Sequence, residues 1–267
     1  MDRVVQWYPG HMARAMRRIG EKLALVDVVI EVADARVPRS GRNPLLDEIL
    51  GNRKRLLALD RDDLADPAAT KDWIAFFTDA GLETLAVDGR SQGSVGRLVT
   101  ALTGLAKGRS GISRGIVVGL PNSGKSTIVN GLLRRNAAKT EDRAGVTRAL
   151  QWFRLAPNVE LMDTPGVLVP KIATKDAQWM LAACGAVPRD RYDPEEVAGA
   201  LVGWASVHRP RLRVPDLETF AAQRGFKRRG GEIDFHNAAG AYLRAFNEGA
   251  FGRITFETPG APDETPQ

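Results

Sequence analysis

Two hydrophobic rhythms divide the chain. Short apolar runs rich in β-branched residues occur at 26–33, 56–59, 83–87, 115–120, 150–155 and 159–162. Their length suits strands, and their nearly unbroken hydrophobicity suits strands buried on both faces. Between many of them, and over 11–24, apolar positions recur at helical spacing. This alternation predicts an α/β domain with a mostly parallel six-stranded sheet and flanking helices. Strand signals stop near Pro170, and helical patterns follow over 174–186, 193–207, 216–224 and 235–249. The second begins Asp193-Pro-Glu195, a capping carboxylate followed by proline at a position whose N–H has no helical partner. The expected division is an N-terminal segment 1–24, an α/β domain 25–170, a small all-helical C-terminal domain 171–258, and a Pro-rich acidic tail 259–267 that frays. The Gly/Ser/basic stretch 107–114 reads as a mobile connector.

Composition adds the setting. Hydrophobic residues make up 43% and charged residues 26% of the 267, and no run approaches the roughly 18 apolar residues of a membrane span. A soluble protein with no membrane partner is expected. One cysteine, Cys184, excludes an internal disulfide framework and a cysteine-based zinc site. It reads as a small buried hydrophobe and fits a reducing compartment, the cytoplasm or, in a eukaryote, the mitochondrial matrix. A net charge of +6 and a pI near 9.7 favour a polyanionic partner, nucleic acid rather than acidic protein. The basic clusters 209–213 and 224–229 suit RNA phosphates or ordinary solvated faces. Trp179 and Trp204 fall in helical apolar patterns and read as core. Arg36, Arg39 and Arg42 leave contact with that polyanionic partner, nucleotide contact and loop solvation all open.

The chemistry begins at Gly119-Leu-Pro-Asn-Ser-Gly-Lys-Ser126, which matches GxxxxGK[ST] and lies between a strand and a helical run. In a loop of this kind, backbone N–H groups and the helix N-terminus surround phosphates, so Asn122, Ser123, Gly124 and Thr127 fall on the nucleotide. Lys125 reaches the β and γ phosphates, and Ser126 ligates Mg²⁺. Some forty residues on, a strand ends in Asp163-Thr-Pro-Gly166, which suits an aspartate on the Mg²⁺ side and a glycine N–H at the γ-phosphate. Thr147, in Ala144-Gly-Val-Thr147, is a candidate to close onto Mg²⁺ and the γ-phosphate, or else plain loop polarity.

GTPases choose their base with Asn-Lys-x-Asp after a later strand, and none follows Gly166. The nearest match lies upstream, at Asp60-Arg-Asp-Asp63. There Asp63 can accept from guanine N1–H and N2–H while the Arg61 stem covers the base. The next strand ends in Ala86-Val-Asp-Gly89, so Val87 and Asp88 sit where a backbone N–H would meet guanine O6. Base recognition thus precedes phosphate binding. The expected fold is a circularly permuted P-loop GTPase domain, cut between the third and fourth strands of the usual order, which leaves every strand in place.

With these motifs, Trp7-Tyr-Pro-Gly-His-Met12, Asp34-Ala-Arg-Val-Pro38, Arg42-Asn-Pro44 and Gly230-Gly-Glu-Ile-Asp234, the chain resembles the circularly permuted ribosome assembly GTPases of the RbgA/YlqF family and their mitochondrial relatives. The resemblance implies GTP hydrolysis, GTP and GDP as substrate and product, and a monomer that acts on the large ribosomal subunit with its helical domain on rRNA. It implies His11 as the catalytic group, because Val167 stands where a water-orienting glutamine would be. It also implies K⁺ beside the phosphates at Asn122. Asp60, Arg61 and Ala144 depart from the family's Asn, Lys and Pro. The first two predict weaker guanine nucleotide affinity, with selectivity retained through Asp63. An RNA-binding scaffold with a degenerate pocket, or a P-loop ATPase or kinase, are the competing readings.

Overall fold

A computed structural model describes residues 20–21, 23, 25–51, 53–105, 111–140, 152–163, 172, 174–212, 214–228 and 230–260. The Trp7–Met12 motif, His11, Thr147, Gly166 and Val167 lie outside the described residues, as do connector residues 107–110 and the tail from 261 on.

Six strands form one sheet: β1 (Val28–Asp34), β2 (Lys54–Asp60), β3 (Glu83–Ala86), β4 (Ser113–Gly119), β5 (Trp152–Ala156) and β6 (Val159–Asp163). Their spatial order is β3-β2-β1-β4-β6-β5. All neighbours are parallel except the edge pair β5 and β6. Moving the first three strands behind the last three restores the usual GTPase sequence, as the permuted order of motifs requires. One difference from expectation is local: Ser113 and Arg114, read as connector, begin β4. The strand extends this far because Ser113 N–H donates to Asn158 O at 2.8 Å and Arg114 N–H to Asp27 Oδ2 at 3.0 Å.

Strand alternation fills both faces. Val28, Ile30, Val32, Leu56, Ala58 and Val117 point toward α3 (Gln92–Leu105) and α4 (Lys125–Thr140), meeting Leu98, Leu102, Ile128 and Leu132. On the other face Val29, Ile116, Val118 and Met162 pack with Leu46 and Leu50 of α1 (Pro44–Leu50), and Leu57 and Leu59 pack with Trp73 and Phe77 of α2 (Pro67–Asp79). Glu31, 1% exposed in the central strand, is held by Arg42 at 2.9 Å and Arg55 at 3.3 Å. A buried carboxylate is tolerable there because both oxygens are met by guanidinium groups.

The helical region comprises α5 (Lys175–Ala183), α6 (Pro194–His208), α7 (Leu217–Gln223) and α8 (Phe235–Asn247). Each helix starts on a side-chain cap: Thr174, Asp193, Asp216 and Asp234 accept from N–H groups of the first turn, as residues with short oxygen-bearing side chains do best. Asp234 ends Gly230-Gly-Glu-Ile-Asp234, whose glycines take φ of 114° and 91° in a tight reversal bridged by Lys227 and Ile233. Tyr242, Phe220, Phe251 and Phe246 centre the helical core, which also takes in Val37 and the P-loop residue Leu120. Trp179 is buried in it and Trp204 packs partly buried against it. Cys184 is buried as well, with burial pushing its thiol up to about 12. Among the described residues no helix is long and apolar enough to cross a membrane.

After α8 the chain returns to the sheet. Ile254 N–H donates to Leu64 O, Phe256 N–H to Arg36 O, and the Glu257 carboxylate accepts from the Arg39 and Ser40 N–H groups. Trp73 Nε1 closes the strap on Glu257 O at 3.0 Å.

Candidate nucleotide-binding site

Three loops meet beyond the carboxyl ends of β2, β3 and β4, the edge where open α/β sheets bind ligands. The first is the Gly119–Ser126 loop. Gly119 and Gly124 take φ of 150° and 97°, and neither has space for a side chain. A Cβ on Gly119 would lie 2.2 Å from Val32 O, and one on Gly124 would lie 1.7 Å from Asp60 Oδ2. Asn122 also has positive φ, 54°, a conformation that asparagine tolerates better than most residues. The loop runs into α4, so the free N–H groups of that helix face the loop interior. Lys125, 6% exposed, donates to Leu120 O at 2.5 Å, and the Ser123 hydroxyl is buried without a partner. Ser126 is exposed in the first turn of α4. Asp163 pairs in register with Val117, two residues before Gly119, and its side chain lies outside the description. A helix-borne anion cradle with an orphaned hydroxyl, a buried lysine and an exposed serine fits a polyphosphate with Mg²⁺.

The second loop follows β2. Asp60 is 2% exposed and accepts from Gly89 N–H at 3.0 Å. Burial pushes its carboxyl up to about 7; the Gly89 and Arg61 N–H groups pull the other way, and neighbouring Asp34 adds to the rise. Arg61, at φ 62°, donates to Asn122 O and to Asn247 Oδ1, both at 3.2 Å. Asp63 is exposed, as a base acceptor must be.

The third loop, Val87 to Gly89, packs tightly on the phosphate helix. A Cβ on Gly89 would come within 3.0 Å of Ile128 N, and one on Gly131 within 2.6 Å of Gly89 O. Val87 N–H donates to Leu59 O, Asp88 N–H to Ser94 Oγ at 2.9 Å and Gly89 N–H to Asp60. A contact from this loop to guanine O6 therefore requires a partner exchange. Asp88 is best placed for it, since its acceptor Ser94 Oγ also receives Arg97 Nη2 at 3.3 Å and would keep a donor.

The structure gives several of the residues named from sequence other partners, and adds Asn247, which the sequence reading missed. Arg36 is wholly buried rather than a ribosome, nucleotide or solvent contact: it grips Asp34 at 2.9 and 2.7 Å and reaches Asn247 Oδ1 at 3.0 Å. Burial alone would raise the Asp34 carboxyl, yet Arg36 and Arg61 hold it below the usual range. The Arg39 guanidinium lies over the Trp73 ring, and that of Arg42 over the Phe77 ring. Asn122 Nδ2 donates to Gly185 O at 2.8 Å. An arginine flanked by apolar residues in Ala35-Arg-Val37 is the one available signal for a buried cation. Asn247 carries none.

Fold and site together define a circularly permuted P-loop GTPase. Residues 114–187 match the family described as 50S ribosome-binding GTPase. Ribosome biogenesis GTPase A of Bacillus cereus is 39% identical over 96% of this chain and 94% of its own length, and that of Thermotoga maritima 32% over 96% and 95%. The solved structure of GNP-bound YlqF from T. maritima superposes with a TM-score of 0.75 at 28% identity, covering 93% of this chain and all of that one. The chain belongs to the ribosome biogenesis GTPase A family.

Proposed function

We propose that this protein hydrolyses GTP to GDP and phosphate while bound to the maturing large ribosomal subunit, and leaves the particle after hydrolysis. The observation that carries the reading is the convergence of the Gly119–Ser126 loop with Asp60–Asp63 and Val87–Gly89 on one sheet edge. Asn122, Ser123, Gly124, Lys125, Ser126 and Thr127 hold the phosphates; Asp60, Arg61, Asp63, Val87 and Asp88 hold the base. Ser126 and Asp163, with Thr147, ligate Mg²⁺, which offsets charge on the β and γ phosphates. Gly166 senses the γ-phosphate. Asn122 ligates K⁺ through its carbonyl oxygen, an assignment compatible with the donation of its Nδ2 to Gly185 O.

His11 orients the attacking water, since Val167 has no hydrogen-bonding group to do so. Unaided turnover is slow. Activation by the particle supplies the missing positioning and charge, effects worth as much as about 10⁵-fold in related chemistry. The domain organisation read from sequence serves this function: the N-terminal segment 1–24 brings His11, residues 25–170 bind nucleotide, and residues 171–258 contact rRNA. Arg189, Lys227 and Arg244 ring a cavity of about 470 Å³ that is also lined by Tyr192 and Phe226. Cations around partly buried aromatic rings suit a phosphate backbone with an unstacked base.

The test is GTP turnover by the monomeric protein with and without isolated large subunits, in K⁺ or Na⁺, for the wild type and His11→Ala. Turnover stimulated by the subunits, dependent on K⁺ and lost in His11→Ala, is the expected result. Unstimulated turnover refutes the ribosomal role. Full stimulation of His11→Ala refutes the role of His11, and equal rates in Na⁺ refute K⁺ at Asn122.

A further inference from the structure

We propose that Asn247, at the end of α8 in the helical region, is a positioning residue for the nucleotide site, acting through Arg61. The proposal rests on the reading of Arg61 as a base contact and extends it to a residue 186 positions away in sequence. All four hydrogen-bonding capacities of the Asn247 amide are used. Its Oδ1 accepts from Arg61 Nη1 at 3.2 Å and Arg36 Nη2 at 3.0 Å, and its Nδ2 donates to Ala183 O at 2.7 Å and Leu243 O at 2.8 Å. The orientation is forced, because a flipped amide would aim N–H groups at two guanidinium ions and an oxygen at two carbonyls.

Arg61 needs such a holder. It has a left-handed backbone at φ 62°, which is unfavourable for a residue with a side chain. A long cationic side chain also has many rotamers to lose before it can lie along a base. Its guanidinium is fixed from three sides: Asn247 Oδ1, Asn122 O of the P-loop at 3.2 Å, and Asp34 Oδ2 at 3.7 Å. Asp34 Oδ2 at 3.7 Å is beyond hydrogen-bond distance of Arg61, and the Asn122 carbonyl belongs to an exposed loop residue. Asn247 is therefore the partly buried acceptor that sets where the Arg61 head sits, and with it the course of the stem. A second link runs beside it from Asn122 Nδ2 to Gly185 O. The helical region thus braces the base loop and the phosphate loop together, so a partner that shifts α8 alters guanine nucleotide affinity.

Aspartate at 247 separates this role from simple anchoring. Asn247→Asp keeps the acceptor for both arginines and loses both donors to the helical backbone; Asn247→Ala loses everything. GDP affinity and thermal melting are to be measured for Asn247→Ala, Asn247→Asp, Arg61→Ala and Arg61→Ala/Asn247→Ala. Asn247→Ala and Arg61→Ala should each bind GDP about tenfold more weakly, the usual scale for losing a hydrogen bond to a charged group. The double variant should be no weaker than Arg61→Ala, and Asn247→Asp should stay within about threefold of wild type, the reach of small rearrangements. If the two alanine effects multiply, Asn247 does not act through Arg61. If Asn247→Asp falls as far as Asn247→Ala in both affinity and melting, the residue is an anchor and the proposal is overturned. If Arg61→Ala binds GDP normally, the reading of Arg61 as a base contact fails first and takes the proposal with it. Should Asn247→Ala not fold, Asn247→Asp against Arg61→Ala still decides.

Discussion

Asp60→Asn should stabilise the protein, and by more as the pH rises. The Asp60 carboxylate is 2% exposed at the end of β2, with one oxygen on Gly89 N–H and the other against Gly124 Cα. Burial moves its titration from an ordinary 3.8 to about 7. Between those values the folded chain keeps a proton that the unfolded chain has released, so stability falls as pH rises and levels off above about 7. At about 1.4 kcal/mol per pH unit, the full cost of ionising Asp60 in place is about 4–4.5 kcal/mol, of which about 2–3 kcal/mol accrues between pH 5 and pH 7. Asparagine has the same outline, keeps the acceptor for Gly89 N–H and carries no charge. Urea unfolding at pH 5, 6, 7 and 8 should therefore show an advantage for Asp60→Asn that widens by up to about 3 kcal/mol and then stays level. Other groups with raised values, Glu257 among them, are present in both proteins and cancel in the difference. The asparagine amide also restores donors toward the P-loop, so GDP affinity at pH 8 should rise. An advantage independent of pH, or an Asp60→Asn protein less stable than wild type at pH 8, would show that the carboxylate is not held as described.

Three further changes probe the supports of the site. Gly131→Ala places a methyl 2.6 Å from Gly89 O and 2.9 Å from Val95 Cγ2, so the loop carrying Val87 and Asp88 must move; a stability loss of about 1–3 kcal/mol with weaker GDP binding is expected in melting and titration. Asp66→Ala removes the acceptor of Ala68 and Ala69 N–H at the start of α2 and should cost about 1 kcal/mol, seen as a lower urea midpoint. Glu257→Ala strands the Arg39 and Ser40 N–H groups in a half-buried corner and should cost about 1–2 kcal/mol by the same measure.

What the sequence made legible was what local physics determines. Six apolar runs became six strands, their bounds shifted by a few residues at most: the central strands are hydrophobic because the sheet buries them, while the edge strand β5 is antiparallel and only half-buried. The capping aspartates 193, 216 and 234 start helices for a reason contained within each first turn. GxxxxGK[ST] is legible because the loop glycines answer to backbone geometry. Arg36 was not legible, since a charge in a loop ordinarily means solvation and its burial depends on Asn247, 211 positions later. The strap 254–257 was equally hidden: Ile-Thr-Phe-Glu has no pattern that names Leu64, Ala35 and Trp73 as its partners. The tightness at Gly89 and Gly131 arises from two loops meeting, and each glycine alone reads as an ordinary turn or helix residue.

Permutation gives these long-range contacts their consequence. In the usual order the base-recognition strand comes late and its loop ends near the chain terminus. Here β2 comes early, and the segment that returns after α8 runs back across Ala35, Arg36 and Leu64. The Asp34–Arg36 pair, buried and completed by Asn247, is the junction of that return. A buried ion pair contributes little net stability, because desolvation offsets its attraction, so stability alone does not explain its position between the sheet edge and α8. It does fix one relative placement of the two, since both groups are buried and losing a partner would leave a charge uncompensated. A helical region seated by such a junction transmits a displacement to Arg61 and Asn122 rather than absorbing it. That is the mechanical requirement for the proposed rRNA contact of the helical region to govern a guanine nucleotide across the fold.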